Sequence, residues 1–107
     1  MARYTFVVFT TPAEGKEEEF NRWYDEVHVP EVLMVPGFTG ASRLVFTPTD
    51  HAEPRHRYLA LYQIESDDPQ VVLAELGRRV QAGEIHMSDA LGEANATLYA
   101  ETGNWQA

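Results

Sequence analysis

The sequence predicts an α+β fold in which strands and helices follow the order β-α-β-β-α-β. Four segments are rich in β-branched and aromatic residues and are bounded by proline, glycine or polar clusters, which indicates strands. Two other segments carry apolar residues at steps of three and four, the period of an amphipathic helix. With 107 residues, 44% of them hydrophobic, the chain is expected to form one domain over residues 1–107.

The first strand is predicted over Tyr4–Thr10, where β-branched and aromatic side chains dominate. The first helix is predicted from Ala13 to about Val29, because apolar residues recur there with helical spacing while acids and a lysine form the solvated side. The apolar positions of this helix are Phe20, Trp23, Tyr24 and Val27.

Both ends of this first helix have sequence signals. Thr11 is predicted to be the N-cap, with Pro12 at the first helical position and Glu14 as the acid of a capping box. Pro30 disfavours the α conformation for the residue before it, Val29, and is expected to end the helix.

Two strands follow, predicted over Phe38–Phe46 and Arg57–Glu65. The turn at Pro36 and Gly37 precedes them, with Gly37 supplying a backbone conformation that other residues resist, and the polar loop Thr47–Arg55 separates them.

A second helix and a fourth strand complete the predicted fold. The helix opens at Asp67-Asp68-Pro69, where proline suits the first turn and acids suit the positive end of the helix dipole. Its apolar side is formed by Val71, Val72, Leu76 and Val80. After a loop over Gly83–Gly92, alternation predicts the last strand at Ala94–Glu101.

This element order is the split βαβ arrangement of ferredoxin-like folds, in which two helices cover one face of a four-stranded antiparallel sheet. The strands offer apolar residues in both registers, as Phe6 and Val8 against Val7 and Phe9 show. A sheet with two apolar faces favours a partner sheet, so we expect a symmetric homodimer whose two sheets close into one barrel.

Charge and cysteine content narrow the classes of partner. Seventeen acids against eight bases give a net charge of −9, which would repel a nucleic-acid backbone. The chain has no cysteine, which excludes disulfides and thiolate sites and fits the reducing cytoplasm. No apolar run has the length of a signal peptide or membrane span, so a soluble intracellular protein is expected, with no membrane partner.

The strongest chemical signal is the pair Asp25 and His28, three residues apart at the predicted helix end. At this spacing their side chains share a helix face, so Asp25 is expected to accept a hydrogen bond from His28 and raise its basicity. His28 would then be a general base. The alternative is a helix-end pair in which His28 only complements the helix dipole.

The segments Trp23-Tyr24-Asp25-Glu26-Val27-His28-Val29-Pro30 and Val35-Pro36-Gly37-Phe38 resemble the signature of the EthD family. The resemblance implies a dimeric α/β barrel, with Asp25 and His28 matching the helix-end Asp and His of that family. It does not select a reaction, because the superfamily includes cofactor-free monooxygenases, polyketide cyclases, dehydratases, isomerases and members with no assigned activity.

Two further polar residues are candidates for the site. His86 lies in the loop before the last strand, a place where cyclases of this superfamily carry a catalytic histidine; a solvated loop histidine is the alternative. Arg43 is unusual in a strand buried on both faces, so it is expected either to hold an anionic oxygen of a substrate or to pair with Glu65 or Glu101.

Three aromatic residues are candidate substrate contacts. Tyr58 and Tyr62 share one face of the third strand, and a phenol there could polarise a carbonyl, although packing alone would explain both. Trp23 is interpreted as core or as a platform for substrate. The remaining histidines, His51 and His56, are expected to be solvated.

The sequence gives no pattern for a metal or a nucleotide. No two histidines stand at His-x-His or His-x-x-x-His spacing, and no glycine-rich loop carries the lysine and hydroxyl of a phosphate site. We therefore expect no metal and no bound cofactor.

Together these observations favour a small cofactor-independent enzyme that transfers protons on a hydrophobic carbonyl or phenolic metabolite. Cyclisation, dehydration, isomerisation and oxygenation would all begin with that step. The alternative is a non-catalytic binding or accessory protein for such a metabolite.

Overall fold

A computed structural model describes all 107 residues, and it has the predicted α+β, ferredoxin-like fold. The strands are β1 (Ala2–Pro12), β2 (Phe38–Val45), β3 (Tyr58–Ser66) and β4 (Leu91–Ala100). They form one sheet in the order β2-β3-β1-β4, and every neighbouring pair is antiparallel. The helices are α1 (Glu17–Trp23), α2 (Val29–Leu33) and α3 (Pro69–Gln81), with a π-helical segment, here called the π-turn (Tyr24–His28), joining α1 to α2.

The predicted start of the first helix is wrong. Thr11 and Pro12 belong to β1, and α1 begins at Glu17 after Lys16. The strand is extended because β4 continues alongside it: Pro12 pairs with Leu91, and the Ala13 N–H donates to the carbonyl of Ala90 at 2.7 Å. A continuous β-ladder therefore overrides the local capping signal.

The predicted end of that helix is also wrong. Val29 has α-helical angles (φ −58°, ψ −48°), and α2 runs past Pro30 to Leu33. In a regular α-helix the proline ring collides with the carbonyl four residues earlier. The wider π-turn directly before Pro30 changes that spacing and so lets the helix continue through the proline.

The start of α3 and the turn before β2 agree with the sequence. The Asp68 carboxylate accepts a hydrogen bond from the Gln70 N–H at 3.1 Å, and Pro69 occupies the first helical position. Gly37 has φ +106°, and a Cβ there would lie 2.5 Å from Cγ2 of Val72. Glycine is required at this turn both for its backbone angle and for the close approach of α3.

The core lies between the helices and one face of the sheet. The buried side chains of β3 on this face are Tyr58, Ala60, Tyr62 and Ile64. Phe20, Val32 and Val72 cover them from the three helices. None of the helices has the length and apolar content needed to cross a bilayer.

Candidate functional site

An apolar pocket of about 170 Å³ lies between the helices and the β1/β4 half of the sheet. Its wall on β1 and β4 is formed by Phe6, Val8, Thr10, Leu91, Ala94 and Ala96. Val8 pairs with Ala96, and Thr10 pairs with Ala94. Because alanine ends at Cβ, the β4 side of this wall leaves open the space that larger side chains would fill.

The polar aromatic side chains of the pocket come from α1, the π-turn and β3. Trp23, Tyr24, His28 and Tyr62 all line it. π-helical segments are rare and often mark functional sites, because the inserted residue changes which side chains face inward. Here the segment carries Tyr24 and His28 at its two ends.

His28 has the chemistry expected of a reactive group. Its ring stacks on Trp23 with centroids 4.6 Å apart and meets the Tyr24 ring edge-on at 5.0 Å. Its Nδ1 is buried and has no hydrogen-bond partner. Burial lowers the pKa of His28 to about 4, with only a partial opposing effect from the charge of Glu31. The imidazole is therefore neutral at neutral pH.

The predicted hydrogen bond between Asp25 and His28 does not form. The Asp25 carboxylate instead accepts a hydrogen bond from Arg43 at 2.7 Å. The prediction assumed α-helical geometry, in which residues three apart share a face. The π-turn has more residues per turn, so the two side chains diverge.

Arg43 lies beside the pocket but does not line it. Its side chain is only 17% exposed, and it donates to Asn21 Oδ1 at 3.0 Å as well as to Asp25. The predicted partners Glu65 and Glu101 are not used. The guanidinium carbon sits 4.4 Å from the centre of the Tyr24 ring, so its positive charge lies directly behind one wall of the pocket.

Tyr24 and Tyr62 form a hydroxyl pair, with the Tyr62 O–H donating to Tyr24 at 3.4 Å. Both side chains are almost completely buried. Burial raises the pKa of Tyr24 and of Tyr62, so both stay protonated at neutral pH. The sequence did not identify Tyr24 as a site residue, because its spacing also fits the helix core.

Tyr58 does not reach the pocket. Its hydroxyl donates to the Glu17 carboxylate and accepts a hydrogen bond from Asn21 Nδ2 at 3.2 Å. These contacts place it in a polar network along α1, on the β2/β3 side of the sheet. Trp23, by contrast, is both a pocket wall and part of the core.

His86 lies outside the pocket and is held by Glu31. One Glu31 oxygen accepts the His86 backbone N–H at 2.7 Å, and the other lies 2.7 Å from the imidazole Nδ1. The Trp23 indole donates to the His86 carbonyl at 2.9 Å. The His86 side chain is 68% exposed, whereas the next residue, Met87, lines the pocket.

The other histidines differ from each other. His51 is exposed, as expected, but His56 is not freely solvated, since its Nδ1 lies 2.7 Å from Thr11 Oγ1. No group of three or more histidine, aspartate or glutamate side chains is close enough to hold a metal ion.

No protein-family model matches the sequence, and no curated protein does either. Solved structures do match it. An ethyl tert-butyl ether D (EthD) family protein from Bacillus halodurans is 12% identical, with a TM-score of 0.66 over 95% of this chain and 100% of its own. SnoaB from Streptomyces nogalater, a cofactor-independent oxygenase, is 20% identical, with a TM-score of 0.66 over 97% of each chain.

A dimeric ferredoxin-like protein of unknown function from Thermobifida fusca has 8% identity and a TM-score of 0.64, over 94% of this chain and 92% of its own. At such identities the likeness establishes the fold. It confirms the ferredoxin-like α+β fold of the single chain that the sequence predicts.

Proposed function

We propose that this protein is a small cofactor-independent enzyme that removes a proton from a hydrophobic carbonyl or phenolic metabolite. The observation that carries the proposal is the neutral His28 imidazole, whose ring lines an apolar pocket while its Nδ1 has no partner in the protein. The likeness in fold to SnoaB, which works without a cofactor, supports the same class of chemistry.

In this mechanism the neutral imidazole accepts a proton from a C–H beside a carbonyl or from a phenolic O–H. A pKa of about 4 makes His28 a weak base in the empty pocket. The anion formed from the substrate would lie beside the new imidazolium, and this pairing offsets the cost of charging a buried group. The enolate or phenolate then cyclises, eliminates, isomerises or reacts with oxygen.

The pocket volume limits the substrate. An engineered dry cavity of about 150 Å³ in another protein holds one benzene molecule, and the pocket here measures about 170 Å³. We therefore propose a compound that places one ring in the pocket. A larger metabolite would extend past Ala94 and Ala96 of β4, because their short side chains leave more space there.

The second face of the sheet supports a homodimer. Its apolar side chains form a surface, here called the open-face patch, made of Val7, Phe9, Leu44, Leu59 and Leu61. The helices lie on the other face, and Leu44 is 44% exposed. A second copy of the chain would bury this patch, in keeping with the dimeric state named for the Thermobifida fusca protein.

Hydrogen exchange tests the proton transfer without knowledge of the natural substrate. Acetophenone, phenylacetone and resorcinol are incubated with the protein in D2O, and loss of the acidic C–H signals is followed by NMR. We expect the wild-type protein to accelerate exchange of at least one compound. His28→Ala should reduce that acceleration by about 100-fold or more, the usual contribution of a general base.

His51→Ala is the matched control, because it removes an exposed imidazole far from the pocket. Equal exchange by wild type and His28→Ala would contradict the proposal.

The alternative is a binding or accessory protein for the same class of metabolite. The absence of a carboxylate that orients His28 favours it, since such a partner would strengthen the base. Binding of these compounds, measured by calorimetry, with no accelerated exchange would support this alternative.

A further inference from the structure

One of the two hydroxyl protons of the Tyr24–Tyr62 pair has no hydrogen-bond acceptor in the protein. Each hydroxyl has one proton to donate, and Tyr62 donates its proton to Tyr24 at 3.4 Å. This is the only side-chain hydrogen bond of either hydroxyl, so the proton of Tyr24 has no acceptor in the protein. If the direction of the bond is reversed, the proton of Tyr62 is left over instead.

A ligand in the pocket can accept the proton that is left over. Each hydroxyl has the other as its single side-chain partner, and both tyrosines line the pocket, whose other walls are mostly apolar. The distance of 3.4 Å between the hydroxyls is also long for an O–H···O bond, which is usually near 2.7–2.8 Å. The pair is therefore loosely joined, and a ligand oxygen could accept from both hydroxyls.

Arg43 adds positive charge to this pair from outside the pocket. Its guanidinium lies over the Tyr24 ring at 4.4 Å and is fixed by Asp25 and Asn21. A cation over a ring draws electron density from it and makes the hydroxyl a stronger donor. This charge lowers the pKa of both tyrosines, but burial has the larger effect, so they remain neutral donors.

We propose that the hydroxyls of Tyr24 and Tyr62 bind the oxygen of the substrate as it becomes negative, and that Arg43 is a positioning residue that acts through the Tyr24 ring. The inference builds on the proposed function, in which His28 takes the proton. As a C–H bond breaks, its electrons form the enolate double bond and the carbonyl electrons move onto oxygen, where the two O–H groups stabilise them. The substrate class is a ring compound with an oxygen on the ring or one carbon from it.

Binding of 4-nitrophenol tests this inference, because its phenolate has an absorption band that shows how much of the bound probe is ionised. The wild-type protein should bind the phenolate and lower the pH at which the bound probe ionises, relative to free nitrophenol. Tyr24→Phe and Tyr62→Phe should each weaken phenolate binding by about tenfold or more, the usual effect of losing a hydrogen bond to a charged group. Neither variant should weaken binding of 4-nitrotoluene, which has the same ring without the oxygen.

Tyr4→Phe is the matched control, since Tyr4 lies on the same face of β1 as Phe6 but does not line the pocket. Arg43→Met should raise the ionisation pH of bound nitrophenol while leaving nitrotoluene binding unchanged. In a Tyr24→Phe background, Arg43→Met should have a smaller effect, because only the Tyr62 hydroxyl remains for its charge to act on.

His28→Ala separates this inference from the proposed function. Phenolate binding that depends on the tyrosines but not on His28 supports the inference, even if the exchange experiment rejects His28 as the base. Equal phenolate binding by wild type and both Tyr→Phe variants overturns the inference and leaves the role of His28 standing. A pocket that binds neither nitrophenol nor nitrotoluene overturns both.

Discussion

The π-turn and the loop before β4 each bring one histidine close to Trp23, yet the two histidines have opposite surroundings. His28 stacks on the indole ring inside the pocket, and its Nδ1 is buried without a partner. His86 is exposed, and Glu31 accepts hydrogen bonds from its backbone and contacts its imidazole. The sequence nominated both as catalytic, but only the His28 ring lines the pocket.

This difference shows how position relative to the pocket separates the two candidates. Glu31 engages Nδ1 of His86 and leaves its Nε2 without a partner, but this exposed ring lies outside the pocket, whereas the His28 ring lines it. A buried imidazole without a partner raises the energy of the empty protein, and proteins keep such groups mainly where a ligand or a reaction uses them. Variants that alter each histidine can test this contrast directly.

The largest effect we expect is on the pH dependence of stability at His28. Its pKa is about 4 in the folded protein, against an ordinary value of 6.5. Between these values the unfolded chain binds a proton that the folded chain does not, so His28 lowers stability as the pH falls through that window. From pH 7 to pH 4 the loss amounts to roughly 2–3 kcal/mol.

His28→Leu should remove this part of the pH dependence. Urea unfolding of both proteins at several pH values measures it, because the carboxylates contribute equally to each and cancel in the difference. A difference in stability that stays constant from pH 7 to pH 4 would show that His28 is not buried as a neutral group.

A smaller effect is expected at His86. His86→Ala removes the contact of its ring with Glu31, which should cost about 1 kcal/mol because the histidine is largely exposed. In a domain of this size that change lowers Tm by about 4–8 °C. Hydrogen exchange of the substrate should fall by less than about tenfold, far less than in His28→Ala.

The same contact has its own pH dependence. The backbone N–H of His86, more than any other group, holds the pKa of Glu31 below its ordinary value. This stabilisation is present above the ordinary pKa of glutamate and is lost as the pH falls. Replacing Glu31 with glutamine should therefore destabilise the protein at neutral pH and have less effect in acid.

A loss of substrate exchange in His86→Ala as large as that in His28→Ala would instead assign His86 a direct role.

Much of the fold could be predicted because its signals are local. The cap and proline of α3, the glycine turn before β2 and the alternation of the strands each depend on a few neighbouring residues. The first helix was placed wrongly at both ends because its limits depend on distant partners. Pairing with β4 keeps Pro12 in a strand, and the π-turn lets the helix pass through Pro30.

The site was harder to predict than the fold, for the same physical reason. His28 was identified from its spacing to Asp25 and Tyr62 from the face of its strand, but the partner of Asp25 depends on the helical register, which the sequence does not reveal. Tyr24 was assigned to the core by its spacing, and it is indeed buried. Only the arrangement of three elements shows that its hydroxyl meets Tyr62 while its ring lies under Arg43.

The smallest effect we expect is that of Asp25→Asn. This variant tests whether Asp25 acts on His28, as the sequence predicts, or only on Arg43, which it contacts in the structure. If Asp25 oriented His28, loss of its charge would lower the pKa of the imidazole further. In the structure Asp25 contacts Arg43 instead, and its side chain is 61% exposed. The variant should therefore leave the His28 titration unchanged by NMR and cost less than about 1 kcal/mol in urea unfolding. Asparagine retains an oxygen that can still accept from Arg43, so the guanidinium should remain over the Tyr24 ring. A downward shift in the titration of His28 would mean that the carboxylate acts on the imidazole after all, and the contrast between the two histidines would then rest on burial alone.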